Sequence, residues 1–148
     1  MRIERLGPGD IDRVAAAEAL FDDAIDARTT HAFLADDAHH LLIAVEDGSP
    51  AGFVTGVELL HPDKTGPEMF LYELGVDEAF RGRGIGRALV EALATLAWER
   101  GCYGMWVLTD EDNAAAMATY RGAGGHQQPA SVMFIWDRPD PAPPSRSR

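Results

Sequence analysis

The stretch VDEAFRGRGIGRALVEAL, residues 76–93, forces a strand, a tight turn and a helix into very little chain. The apolar run MFLYELGV (69–76) stops, and Gly82, Gly84 and Gly86 then alternate with Arg83 and Ile85. From Ile85 to about Arg100 apolar residues recur at 85, 88/89, 92/93 and 96/97, the spacing of an amphipathic helix that Gly101 ends. Glycine is costly at the mouth of a helix, so its repetition there asks for bare backbone or for room. A strand, a glycine turn and a helix N-terminus offer free N–H groups and the positive end of the macrodipole to an anion. Arg81, Arg83 and Arg87 add full charges at the same point, in a chain whose net charge is −11. A diphosphate-sized anion fits this arrangement; a glycine turn without a ligand is the plainer reading of the same residues. A P-loop needs Lys-Ser or Lys-Thr after its glycines, and a dinucleotide fingerprint needs G-x-G-x-x-G near the start of a βαβ unit. Here the pattern is G-x-G-x-G and lies past the middle of the chain.

The rest of the chain reads as a mixed α/β domain. RIERL (2–6) alternates like a strand, and Asp10 is placed to cap a helix running to about Phe21. Residues 22–39 are acidic and broken, with HAFLADDAHH as a short helix at most. LLIAVEDGSPAGFVTGVELL is a hairpin turning at Asp47-Gly48 and running through Leu60. MFLYELGV, being largely apolar, reads as a central strand. YGMWVLT (103–109) is a further strand, DEDNAAAMATYRGAGG a capped helix through Tyr120, and SVMFIWD (131–137) a last strand. The order β-α-(α)-β-β-β-α-β-α-β implies a sheet that is largely antiparallel in its first half. Residues 1–138 are expected to form one domain, with 139–148 a proline-rich, disordered tail.

Charge and composition narrow the partners. The 24 acids against 13 bases argue against a nucleic-acid backbone and favour a cationic substrate, although acidity also serves plain solubility. No apolar run nears the roughly 20 residues of a membrane span. MRIERLGPGD lacks the apolar core of a signal peptide, so a cytoplasmic location is expected. A single cysteine, Cys102, excludes an internal disulfide and a thiolate cluster, and no metal is expected. His31, His39 and His40 read as surface or loop residues rather than ligands. Exposed strand edges and the apolar VMFIW are compatible with a homodimer.

VDEAFRGRGIGRAL resembles the acetyl-CoA-binding motif of the GNAT superfamily of N-acetyltransferases, [RQ]-x-x-G-x-[GA], with Arg81, Gly84 and Gly86 filling it. The order of elements from residue 2 to about 137 is similar to that fold, a mixed, largely antiparallel sheet flanked by helices. The resemblance implies acetyl-CoA as co-substrate. Its pyrophosphate would lie on the amides of Gly82, Arg83, Gly84, Ile85, Gly86 and Arg87, and its pantetheine arm along Leu74, Gly75 and Val76. DEDNAAAMATYRGAGG is similar to the later motif N-x-x-A-x-x-x-Y-x-x-x-G. It implies that Asn113 contacts the pantetheine and that Tyr120 gives a proton to the departing thiolate; an aromatic anchor for its helix is the other reading of Tyr120.

Glu73 and Asp110 are the candidate bases, one on each strand beside the coenzyme; Asp110, Glu111 and Asp112 also suit helix capping. Several protein N-terminal acetyltransferases of the superfamily carry a Glu five residues before the motif Asn, where this chain has Leu108. Simple alternation along YELGV points Glu73 away from the face of Tyr72 and Leu74. As a whole the chain most resembles the GNAT-type aminoglycoside 3-N-acetyltransferases, through RLGPGD, Leu20-Phe21, HPDKTGPEMFLYELGV and the spacing from Asp110 to Tyr120. That resemblance implies acetylation of a small polycationic amine and a link to antibiotic resistance. A protein or peptide amine or a polyamine as acceptor, and a non-catalytic coenzyme A-binding module, are the alternatives. The variable stretch 22–39, with Asp22, Asp23, Asp26, Asp36 and Asp37, is where the acceptor is expected to be read.

Overall fold

The structure is a computed structural model that describes residues 1–129 and 132–136. Its elements follow the chain as β1 (Arg2–Leu6), α1 (Ile11–Ala16), α2 (Ala27–Ala35), β2 (His39–Glu46), β3 (Ser49–Leu59), β4 (Glu68–Val76), α3 (Ile85–Glu99), β5 (Met105–Val107) and α4 (Ala114–Gly122). Short 3-10 turns at Glu18–Leu20 and Glu78–Phe80 follow α1 and β4. The sheet order is β1-β2-β3-β4-β5; the first three pairings are antiparallel and β4–β5 is parallel. The mixed α/β sheet flanked by helices is therefore as expected. No helix among the described residues is long and apolar enough to cross a membrane.

Helix α3 covers one face. Leu89 and Leu93, one turn apart, are fully buried over Gly52 and Gly56 of β3. A Cβ on Gly56 would stand 2.8 Å from Leu93 and from the Met69 sulfur, so the helix lies close only because those side chains are absent. Val54, Met69, Leu71, Ile85 and Ala97 complete this core. The other face carries α1 and α2 on Leu6, Val14, Leu34, Leu41, Ile43 and Phe53.

Several expectations change. Asp10 begins α1 but makes no side-chain cap; its carboxylate accepts from the Gly7 N–H at 2.9 Å instead, and the helix ends at Ala16 rather than near Phe21. In 22–39 the helix lies over Ala27–Ala35, capped by the Asp26 carboxylate on the Thr29 N–H, and His39 already opens β2. Strand β4 is second from the edge, not central. The last strand is not formed across Val132–Trp136, whose side chains are exposed; residues 131 and 137 and the tail 139–148 lie outside the described residues.

His31 and His39 fit the surface reading, but His40 does not: it is fully buried. Arg5 Nη2 donates to His40 Nδ1 at 3.0 Å, and since arginine only donates, the ring proton sits on Nε2 and goes to Glu58 Oε1 at 2.7 Å. The same oxygen accepts from Arg100 Nε at 2.6 Å, which ties the C-terminal end of α3 to the sheet. Burial, ahead of the flanking charges, pushes the His40 pKa below its ordinary 6.5. The unfolded chain then binds a proton that the folded one refuses, so this group costs stability as pH falls through 6.5. Thermal melts of the wild type should therefore drop as pH falls below that point, and a His40→Gln variant should lose part of that slope. Glu58→Ala strips the carboxylate from buried His40 and from half-buried Arg100 and should cost about 2–3 kcal/mol in urea unfolding.

Candidate active site

The site is built where β4 stops behaving as a regular strand. Thr55 of β3 pairs with Glu73, and Gly56 pairs with Leu71, so Tyr72 is an extra residue, a β-bulge. The bulge resets which face each side chain meets. Met69 and Leu71 before it, and Leu74 and Val76 after it, all join the α3 core. Tyr72 and Glu73 consequently share the opposite face, the one bearing α1 and α2, which corrects the alternation expected for YELGV. The parallel ladder to β5 also ends at Leu71, opposite Val107. From Tyr72 to Val76, strand β4 pairs among the described residues with β3 and with no strand on its other edge.

The glycine turn follows at once. Gly82 and Gly84 have φ of 74° and 77°, a region that costs an L side chain roughly 1–2 kcal/mol, and Gly84 begins α3 in that conformation. A Cβ at either position would meet nothing within 4 Å, so the cradle opens to solvent. Among the described residues, none of the N–H groups from Gly82 to Arg87 donates to another protein group. Six successive free donors at the start of a helix of fifteen residues with no acid in its first turn are a donor set for a diphosphate. Coenzyme A, the molecule implied by the resemblance, fits that test.

The arginines stand around the cradle with partial restraint. Arg81 Nε donates to the Val76 carbonyl at 3.2 Å, Arg83 lies 5.4 Å from the Phe80 ring centre, and Arg87 pairs with Glu91 at 2.7 Å. Helix α4 approaches from the far side; Gly86 brings α3 within contact of Thr119. Asn113 caps α4, its carboxamide oxygen accepting from the Ala116 N–H at 3.1 Å. Tyr120, two turns on, is half-buried against the α3 core, and its burial holds the phenol above its ordinary pKa and thus protonated. Leu74 and Val76 pack in the same cluster.

On the opposite face a cavity of about 330 Å³ is lined by Phe21, Asp22, Asp23, Asp26, Thr30 and Glu73, among others, and by no lysine or arginine. A second, of about 280 Å³, joins Phe21 and Asp22 to Glu73, Leu74 and Gly75. Asp22 and Glu73 are thus the acids common to both. Glu73 is steadied from β3: Thr55 Oγ1 donates to the carboxylate at 3.3 Å and accepts from the Glu73 N–H at 3.1 Å. Thr55, Phe53 and Thr30 were not legible as site residues, because they join Glu73 only through the bulged register. Asp26 stays charged, held below the ordinary carboxylate range by its hydrogen bonds from Thr29. Asp36 and Asp37 are elsewhere: Asp36 binds the Ala38 N–H and His39, and Asp37 pairs with Arg100. Asp110 is exposed beyond the end of β5 and lines neither cavity; its carbonyl accepts from the Asn113 N–H.

Comparison with known proteins agrees with this geometry. The family described as "Acetyltransferase (GNAT) family" matches residues 11–124. A mycothiol acetyltransferase of Salinispora arenicola is 34% identical over 150 residues, covering 96% of this chain but 45% of its own length. The chain spans less than half the length of such relatives. The N-alpha-acetyltransferase RimI of Mycobacterium tuberculosis is 36% identical over 126 residues, covering 82% of this chain and 76% of its own length. Among solved structures, an aminoglycoside acetyltransferase from an uncultured soil metagenomic sample, in complex with sisomicin, superimposes with a TM-score of 0.85 at 22% identity. That likeness covers 93% of this chain and 96% of the other, and it speaks for the fold.

Gly84→Ala should lower stability by about 1 kcal/mol through its positive φ alone, since no neighbour obstructs the added methyl. Urea unfolding with an unchanged m-value checks this.

Proposed function

The chain belongs to the GNAT acetyltransferase family, and from that premise we propose an acetyl-CoA-dependent N-acetyltransferase acting on a primary amine of a small polycationic acceptor, an aminoglycoside acetylated at the 3-amine. The observation that carries the acceptor class is the acidic cavity on Glu73, Asp22, Asp23 and Asp26, opening beside the free edge of β4. A cationic acceptor is concentrated by such a surface, and several carboxylates suit several ammonium groups.

Bound on the cradle, acetyl-CoA supplies the thioester whose acetyl group passes to the amine. The amides of Gly82–Arg87 and the charges of Arg81, Arg83 and Arg87 would hold its phosphates, while Leu74, Gly75, Val76 and Asn113 would take the pantetheine arm. An alkylamine has a pKa near 10.4, so reaching its neutral form at pH 7 costs roughly 4–5 kcal/mol. Orienting the two reactants offsets roughly 7–11 kcal/mol of the barrier. Glu73, braced by Thr55, receives the amine proton directly or through water. Tyr120 keeps its own proton because it is buried, and gives it toward the sulfur as the thiolate leaves. Asp110, outside the cavity, serves the acceptor's outer charges or the capping of α4 rather than proton removal. The RimI relative favours a second reading, acetylation of a peptide α-amine by the same residues. Against it stands Leu108, where several protein N-terminal acetyltransferases of the superfamily carry Glu.

Thiol release should be followed with acetyl-CoA and a panel of aminoglycosides, polyamines, peptides and the amine precursor of mycothiol. Turnover with aminoglycosides is expected; release with peptides alone would sink the polycation reading. Tyr120→Phe should reduce kcat about 100-fold or more while leaving the KM for acetyl-CoA nearly unchanged. Glu73→Gln should reduce kcat/KM for the acceptor without affecting coenzyme A affinity.

A further inference from the structure

Among the described residues two polar side chains are buried, His40 and Thr55. His40 is spent on the scaffold, through Arg5 and Glu58. Thr55 is 4% exposed, and both of its hydrogen bonds go to one residue, Glu73. Burying a hydroxyl costs free energy unless its partners are in place, so the pairing of a buried hydroxyl with the acid of two cavities asks for a reason.

The two bonds do different things. The hydroxyl oxygen accepts from the Glu73 N–H at 3.1 Å, which secures the backbone at the bulge. The one hydroxyl proton is then left for Glu73 Oε2, at 3.3 Å. That is long for a hydroxyl on a carboxylate, as catalytic hydrogen bonds are before substrate tightens them. Among the described residues no group donates to Oε1, so the carboxylate is held by one oxygen and keeps the other for a ligand of the cavities it lines.

Glu73 needs such a hold because its side chain is exposed and turns about three torsions. Confining a side chain of this kind to one rotamer costs conformational entropy. Thr55 is suited to confine it. Its β-branch restricts its own first torsion, and its strand is paired on both sides, to Leu41 and to Glu73. Phe53, two residues back on the same face, is packed against the Phe21 ring at 4.5 Å.

We propose that Thr55 is a positioning residue for proton transfer: by occupying Oε2 it holds Glu73 with Oε1 toward the acceptor amine. In that step an N–H bond of the ammonium breaks, its electron pair stays on nitrogen, and the proton bonds to Oε1, directly or through water. The Thr55 hydroxyl keeps its own proton throughout. Thr55 acts only through Glu73, so this role rests on the reading of Glu73 as the base.

Thr55→Val should lower kcat about 10-fold with acetyl-CoA and whichever amine of the panel is acetylated, with the KM for acetyl-CoA unchanged. Thr55→Ser, which keeps the hydroxyl, should retain most of the turnover. Thr55→Ser against Thr55→Ala repeats the comparison without the methyl group, so a folding loss in Thr55→Val still leaves the hydroxyl tested; far-UV circular dichroism and coenzyme A affinity check each fold. The cycle with Glu73→Gln separates aiming from support. In the Glu73→Gln background the loss from Thr55→Val should vanish, because no carboxylate is left to aim. An equal loss with and without that carboxylate would make Thr55 a prop of the bulge and overturn the proposal. So would full turnover by Thr55→Val beside an impaired Glu73→Gln. Full activity of Glu73→Gln, or no turnover of any amine, overturns the base reading itself and this role with it.

Discussion

One extra residue in β4 organises the site. Because Tyr72 has no partner across on β3, the pairing slips between Leu71 and Glu73, and every later consequence follows from that slip. It ends the ladder to β5, leaving the last five residues of β4 with an open edge. It turns Glu73 toward the acidic cavity while returning Leu74 and Val76 to the α3 core. A regular strand would have continued its pairing with β5 and put Glu73 and Leu74 on exchanged faces, a carboxylate in the core and a leucine in the cavity. The bulge is held by the double hydrogen bond between Thr55 and Glu73, so the residue it re-aims also secures it.

The open edge lies between two fields of opposite sign. On the α3 side the amides of Gly82–Arg87, unpaired among the described residues, the helix dipole and three arginines make a positive end in an acidic protein. On the other side Asp22, Asp23, Asp26 and Glu73 line a cavity without a basic residue. The two faces therefore favour ligands of opposite charge. Tyr120 packs against the α3 core, and Glu73 lines the cavity on the other face.

The parts legible in the sequence are those whose physics is local. The turn at Asp47-Gly48 needs positive φ at both residues, 51° and 80°, and its dipeptide announces this. The glycine cradle and α3 are likewise written within twenty residues. What escaped is what depends on pairing at a distance. His40 reads as a loop residue because nothing beside it in sequence shows that Arg5 and Glu58 bond its ring, or that Arg100 secures Glu58. The bulge escaped because YELGV alternates acceptably by itself; only the register against Thr55 and Gly56 reveals the extra residue. Val132–Trp136 carries the composition of a strand, yet composition cannot supply the neighbour that a strand requires.

That difference explains why the donor is easier to read than the acceptor. A diphosphate is met by backbone amides, and backbone geometry is encoded by glycines in one short run, so the motif survives as a motif. The acidic cavity is lined by side chains from Phe21 to Thr30 and by Glu73, segments far apart in sequence that come together only once the sheet has formed. The acids of 22–39 illustrate the point. By composition Asp36 and Asp37 are equivalent to Asp22 and Asp23, but α2 intervenes and carries the later pair away to His39 and Arg100. Nine residues of helix thus divide one acidic stretch into a pair that faces the cavity and a pair that ties the scaffold together. The length and placement of α2 thus decide which acids line the cavity, independently of the glycine turn.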